Sequence, residues 1–233
     1  FNVQANNTNV ADEVGHGTHI AGTIAEGTPS NVKILSIKMS STREIYSTDI
    51  IAAIDYMTYY TDADVANMSF GGYIYEQAEY LAIEAAKENG IINLAAAGNE
   101  STSESNYPSS FDNTISISAV DSNYQFAEFS NFHPNVDFAM PGVNILSING
   151  MMSGTSMATP HAVAAAAIAR SFNNEFTQED VVNFFKTRAI DLGAKGKDSR
   201  FGWGFVDFNG ATLCKSTSES CDEFSIFETD TQT

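Results

Sequence analysis

An α/β architecture is predicted, with three layers: a mostly parallel central sheet covered by helices on both faces. Three observations predict it. Short apolar runs bounded by turn residues alternate with longer segments whose apolar positions recur at helical spacing, the signature of strand–helix–strand units. A chain of 233 residues, 43% of them hydrophobic, can fill one large core. Small and polar motifs also fall at the carboxyl ends of expected strands, where open parallel sheets place their sites.

The elements follow in order. Residues 1–14 are Asn-rich and polar and read as irregular. Residues 16–25 read as a helix with Ile20, Ala21, Ile24 and Ala25 as its apolar positions. Residues 32–37 run apolar and are expected to form a buried strand. Residues 48–60 carry Ile50, Ile51, Ile54 and Met57 at helical spacing, with Ser47 or Thr48 as the cap. A strand over 64–70 ends at Gly71-Gly72, and a helix over 75–88 is closed by Asn89-Gly90. Strands are expected at 91–97, 114–120 and 143–148, the last leading into the turn Asn149-Gly150. Helices over 156–171 and 178–188 and a strand over 202–207 complete a domain spanning 1–212. Residues 213–233 are rich in Ser, Thr, Glu and Asp and read as an acidic tail, disordered or a linker. Both cysteines, Cys214 and Cys221, lie there. A small disulfide loop, which suits an oxidising compartment, and two unpaired thiols are equally compatible with them.

The formal net charge of −18 repels phosphates and argues against a nucleic-acid partner. No apolar run is long enough to cross a bilayer, so no membrane role is expected.

Three motifs carry chemistry. In residues 149–161, Asn-Gly-Met-Met-Ser-Gly-Thr-Ser-Met-Ala-Thr-Pro-His, Ser156 sits among small residues just ahead of an Ala-rich helix. A helix N-terminus offers unpaired N–H groups and a dipole that favours negative charge. A serine that attacks a carbonyl needs that setting, because charge builds on the carbonyl oxygen. In Gly15-His16-Gly17-Thr18-His19, small residues surround a His that opens a helix, a rigid and roomy mount for a general base. In Ala95-Ala96-Ala97-Gly98-Asn99-Glu100, an Asn at a strand end can offer its NH₂ to an oxyanion.

Together these motifs, in this order, resemble the subtilisin family of serine proteases from about Asp12 to about Ala211. The resemblance implies a subtilisin-like fold and an endopeptidase acting on polypeptide substrates, with Ser156 as nucleophile, His16 as general acid/base and Asn99 as oxyanion donor. It requires no cofactor. It also implies an extracellular or secreted protein, monomeric, made with a pro-segment. The family's third member, an Asp in an Asp-Thr/Ser-Gly motif on a strand well before the His, has no match in the fifteen residues ahead of His16. The resemblance therefore places it upstream of Phe1, with Asp12 as the alternative carboxylate. Residues 1–233 alone are expected to be inactive or nearly so.

By the same resemblance Ser69, Phe70, Gly71 and Gly72 form one wall of the primary specificity pocket and Ala96, Ala97 and Gly98 the other, with Asn106 at its floor. Asn in place of the family's common Gly makes that pocket shallower and more polar, so medium apolar or polar side chains are expected. Arg43-Glu44-Ile45-Tyr46 spans the region that in relatives lends an edge strand to the substrate, here without glycines. The loop 26–31 is too short for the family's strong calcium site. A weaker site for structural calcium or sodium would use Asp137 with backbone oxygens near Ser109 and Phe111; a surface carboxylate is the plain alternative.

Two rival functions are weighed. A metal hydrolase built on His16, His19, Asp12 and Glu13 would need a different spacing on the helix. A peptide-binding scaffold, a protease that has lost its acid, keeps Ser156, His16 and Asn99 without use for them. Sequons occur at Asn6, Asn67 and Asn99, and only Asn6 lies clear of the motifs.

Overall fold

The computed structural model describes residues 1–208 and the strands at 211–214 and 221–224. In chain order the elements are α1 (His16–Glu26), α2 (Ser47–Tyr60), β1 (Val65–Met68), α3 (Gln77–Glu88), β2 (Ile92–Ala96), β3 (Ile115–Val120), β4 (Val136–Pro141), β5 (Ile145–Ser147), β6 (Gly150–Met152), α4 (Thr155–Phe172), α5 (Gln178–Arg188), β7 (Ala189–Ile190), β8 (Phe205–Val206), β9 (Ala211–Cys214) and β10 (Cys221–Phe224).

Six strands make the main sheet, in the order β1-β2-β3-β4-β8-β7. All pairs are parallel except β7 with β8. Alternation along each strand assigns its side chains to two cores. Val65, Ile92 and Leu94 face the cluster that holds Ile20, Ile24, Ala162, Ala166 and Phe185 of α1, α4 and α5. Ala66, Met68 and Ala95 face Ile54, Met57, Ile83 and Ala86 of α2 and α3. The layering is the three-layer α/β arrangement expected. Strand β2 is buried at every position, which is why it reads as one apolar run. In α4 the alanines 162, 164, 165, 166 and 169 are all buried, so small side chains let this helix lie close under the sheet.

The expected strand at 32–37 is not formed. Ile34 and Leu35 are 42% and 46% exposed. A strand needs a lateral partner, and among the described residues only 1–3 supply one: Phe1 N donates to Ser36 O (2.7 Å), Lys38 N to Phe1 O (2.7 Å) and Val3 N to Lys38 O (3.0 Å). Among the described residues the outer edge of β1 is unpaired. The cap of α2 also differs. Tyr46 occupies that position, and Ser47, already helical, donates its hydroxyl to Glu76 Oε1 (2.7 Å).

Strands β4, β6 and β7 have no counterpart in the sequence reading. Residues 145–152 form a hairpin in which Ser147 pairs with Gly150. Across the expected boundary between the domain and the tail, β9 pairs antiparallel with β10, Cys214 opposite Cys221. The cysteine side chains and the rest of that segment lie outside the described residues, and so does the question of their bonding.

Candidate active site

Ser156 is the second residue of α4, whose N-cap is Gly154. Gly154 has φ 155°, a conformation that side chains rarely adopt, so the chain turns sharply from β6 into the helix. At this position the Ser156 N–H has no intrahelical acceptor. Four residues on, Pro160 lacks the N–H that would bond Ser156 O. Ser69 fills that role: its hydroxyl donates to Ser156 O (3.1 Å), and Ser156 Oγ donates to Ser69 O (3.3 Å). Asn67 Nδ2 in turn donates to Ser69 Oγ (3.0 Å). The C-terminal end of β1 is thereby bonded to the serine-bearing turn.

Asn99 follows β2. Its Oδ1 accepts from Thr155 N (2.7 Å) and Thr155 Oγ1 (3.1 Å). A backbone N–H can only donate, so the atom facing it is the oxygen and the NH₂ end points elsewhere. Asn99 is exposed, leaving that NH₂ open beside the start of α4. Gly98 has φ 109°, and a Cβ there would collide with Asn131 Nδ2, so glycine is required at this bend. Thr155 Oγ1 accepts from Gly98 N (3.2 Å), joining the strand end to the helix a second time.

His16 is the first residue of α1. Three hydrogen bonds tie this helix end to the β5–β6 hairpin that leads into α4. Asn149 Nδ2 donates to Gly15 O (2.6 Å), Ser147 Oγ donates to His19 O (2.8 Å), and His19 Nε2 lies 3.0 Å from Ile145 O. His16, Ser156 and Asn99 thus sit on three element ends that are linked to one another. No His16–Ser156 hydrogen bond is made; the Ser156 hydroxyl rests on Ser69 instead. Burial pushes the His16 imidazole below its usual pKa, and Arg43 and His19 act the same way, while Asp12 opposes them.

Asp12 has a different task from the one held open for it. Oδ1 accepts from Val14 N (3.0 Å) and Gly15 N (2.8 Å); Oδ2 accepts from Thr18 N (2.8 Å) and Thr18 Oγ1 (2.7 Å). It caps α1 from a distance, since Gly15 has no side chain to do so. Burial raises its pKa, but these four bonds outweigh that and hold it at about 2. Glu13 pairs with Lys38 (2.5 Å) and His19 is fully buried, so the ligand set of a metal hydrolase is dispersed. Among the described residues no group of three or more His, Cys, Asp or Glu is gathered for a metal.

The two expected pocket walls lie side by side. Gly72 and Tyr107 exchange backbone hydrogen bonds (2.9 and 2.7 Å), and Asn106 Nδ2 donates to Ala96 O (3.4 Å). Ser69, Ala96, Ala97 and Asn106 are buried, Phe70 and Gly98 half-buried, Gly71 and Gly72 exposed. The Tyr107–Pro108 bond is cis. Asp137, expected to hold a weak cation, instead pairs with Lys197 Nζ (2.8 Å) and accepts from Ser116 N (3.0 Å). Lys197 lies 60 residues along the chain from Asp137, so the sequence gives no signal of that pairing. Ser69 and Thr155 are the residues whose supporting role sequence reasoning missed; Pro160, which has no N–H to give inside α4, is the signal that could have pointed to a partner for Ser156 O.

Known proteins carry the same fold and sequence pattern. A model of the Subtilase family matches residues 1–204. The chain is similar to subtilisin DY of Bacillus licheniformis, 36% identical over 201 residues, covering 78% of this chain and 73% of that protein. It is similar to subtilisin BL of Lederbergia lenta, 31% identical over 217 residues, covering 86% and 78%. Against the minor extracellular protease Epr of Bacillus subtilis it is 30% identical over 214 residues, covering 84% of this chain but 33% of Epr. Among solved structures, a cold adapted subtilisin-like serine proteinase superposes with a TM-score of 0.77 at 28% identity, covering 88% of this chain and 77% of the other. The fold and the match define a serine peptidase of the α/β type. The chain belongs to the subtilase family.

Proposed function

We propose that this chain is the main part of a secreted serine endopeptidase in which Ser156, His16 and Asn99 do the chemistry. The observation that carries the reading is the bonding of the Ser156 turn to Asn99 and Ser69, which fixes a hydroxyl, an open NH₂ and a free helix N–H at one place. In this mechanism His16 takes the Ser156 proton as Oγ attacks the peptide carbonyl. Asn99 Nδ2 and Ser156 N–H hold the oxyanion. The tetrahedral species collapses, His16 returns the proton to the leaving amine, and water then releases the acyl group by the same steps. The low pKa direction at His16 supports this role, because a base must be neutral to accept.

The orienting carboxylate is assigned to a segment outside residues 1–233. Asp12 is engaged as a cap. The open edge of β1 and the exposed Ile34 and Leu35 offer a further strand both pairing and cover. Triad enzymes that lose only the Asp lose about 10⁴-fold in turnover, a magnitude from relatives of this family. The test compares peptide hydrolysis by residues 1–233 with that by a chain extended upstream to an Asp-bearing strand. The extended chain should be faster by about that factor, and Ser156→Ala should abolish the gain. Equal rates would refute the assignment of the acid. The rest of Ser156 on Ser69 rather than His16 also suits a peptide-binding scaffold, and hydrolysis by the extended chain would exclude it.

The name of one relative, an extracellular protease, supports secretion. Among the described residues no helix is long and apolar enough to cross a membrane.

A further inference from the structure

Asn131 lies between β3 and β4, in a segment bonded to the end of β3. Ala127 N donates to Ala119 O (2.9 Å) and Ala119 N donates to Ser130 Oγ (3.2 Å). Asn131 is fully buried. Its Oδ1 accepts from Glu100 N (2.9 Å) and Thr102 N (3.2 Å). Its Nδ2 donates to Ala97 O (3.1 Å) and Glu100 Oε2 (3.0 Å). Every hydrogen-bonding position of the carboxamide is therefore filled. Two backbone N–H groups face one end, while a carbonyl and a carboxylate face the other, so the amide has a single orientation. Asn131 N also donates to Gly98 O (2.9 Å). One buried residue thus gathers Ala97, Gly98, Glu100 and Thr102, the neighbours of Asn99 on both sides.

Asn99 itself is held at two points. Thr155 occupies its Oδ1, and its backbone N donates to Glu100 Oε2 (2.8 Å). Glu100 is exposed and folds back on the N–H before it. A free glutamate would lose rotamer entropy in that pose. Here the same oxygen also accepts from Asn131 Nδ2 and from the Tyr73 hydroxyl (3.0 Å), which together fix it. The contacts run from Asn131 through Glu100 to Asn99 and leave Asn99 Nδ2 as the open end.

We propose that Asn131 is a positioning residue for oxyanion stabilisation: acting through Glu100, it aims Asn99 Nδ2 at the carbonyl oxygen under attack. The proposal rests on the peptidase reading above and deepens it. Asn131 is buried behind the loop and touches no substrate. The oxyanion exists only after attack, so loss of this aim lowers turnover and spares substrate affinity.

Asn131→Asp keeps the size of the side chain and its Oδ1 acceptor, but it sets an oxygen against Ala97 O and the Glu100 carboxylate. In the upstream-extended chain it should lower kcat by about 10- to 100-fold, with KM moving less than about 3-fold. Glu100→Ala, at an exposed position, should give the same kind of loss and carries the test where the aspartate variant does not fold. The double variant should lose no more than the worse single variant, because both act through one carboxylate. In residues 1–233, amide hydrogen exchange at Asn99 should quicken by at least about 10-fold in each single variant while exchange in β2 stays unchanged. Unchanged kcat, a loss confined to KM, additive losses in the double variant, or unaltered exchange at Asn99 overturns the proposal. Failure of the peptidase reading shows differently: the extended parent hydrolyses no peptide although Asn99 exchange responds to both variants. Asn131 then orders a loop that serves no oxyanion, and the proposal falls with that reading.

Discussion

Ser69 and Ser156 exchange hydrogen bonds, hydroxyl to carbonyl in both directions, at 3.1 and 3.3 Å. The pair exists because Pro160 cannot donate to Ser156 O. Ser69→Ala should leave that carbonyl unpaired and lower stability by about 1–2 kcal/mol. Adding Pro160→Ala restores an N–H at the right place and should recover part of the loss. Denaturant unfolding of the two single variants and the double variant checks this; strictly additive losses would show that the two residues do not share the carbonyl.

Asp12 is assigned to structure. Asp12→Ala should cost about 1 kcal/mol, the usual worth of a helix cap, while the upstream-extended chain keeps turnover within about 10-fold. Loss near the 10⁴-fold expected of a triad acid would return Asp12 to the active site. The sign with pH follows from its lowered pKa. The cap's contribution is complete above the ordinary aspartate range and is lost as pH falls through about 2.

His16 should titrate below free imidazole in residues 1–233, because burial, then Arg43 and His19, disfavour its cation more than Asp12 favours it. Arg43→Ala removes one of those repelling charges and should move the midpoint up. Histidine NMR titration reads both. A midpoint above that of a model imidazole, or no change on removing Arg43, would contradict the environment described.

Glu79 is buried in the first turn of α3 with Oε1 unpartnered, and burial with nearby Glu76 raises its pKa to about 7. Between the ordinary glutamate range and about 7 the unfolded chain gives up this proton before the folded chain does. Stability should therefore fall as pH rises through that window. Glu79→Gln should remove the slope and stabilise the protein at pH 8 by on the order of 2 kcal/mol. Thermal unfolding at pH 5 and 8 checks it; an unchanged slope would place the pH dependence elsewhere.

Much of this was legible in the chain. Helices α1, α3, α4 and α5 lie within two residues of their expected bounds, because apolar spacing and small-residue packing are local properties. Strand 32–37 failed because pairing is not local: its composition suits a strand, but among the described residues no lateral partner lies along most of it. Strand β4 was missed since Asp137, its second residue, broke the apolar run, and the Lys197 ammonium that neutralises it lies 60 residues away. The motifs singled out Ser156, His16 and Asn99 in the sequence, yet the bonds that Asp12 and Ser69 make were not legible there, because their partners are set by the fold.

The central claim is that Ser156 is a nucleophile served by His16. Its most direct test is labelling of the upstream-extended chain with a serine-directed phosphonate, the adduct located by mass spectrometry. The adduct should lie on Ser156 alone and disappear in His16→Ala. Label on another residue, or label on Ser156 that forms equally fast without His16, would contradict the account.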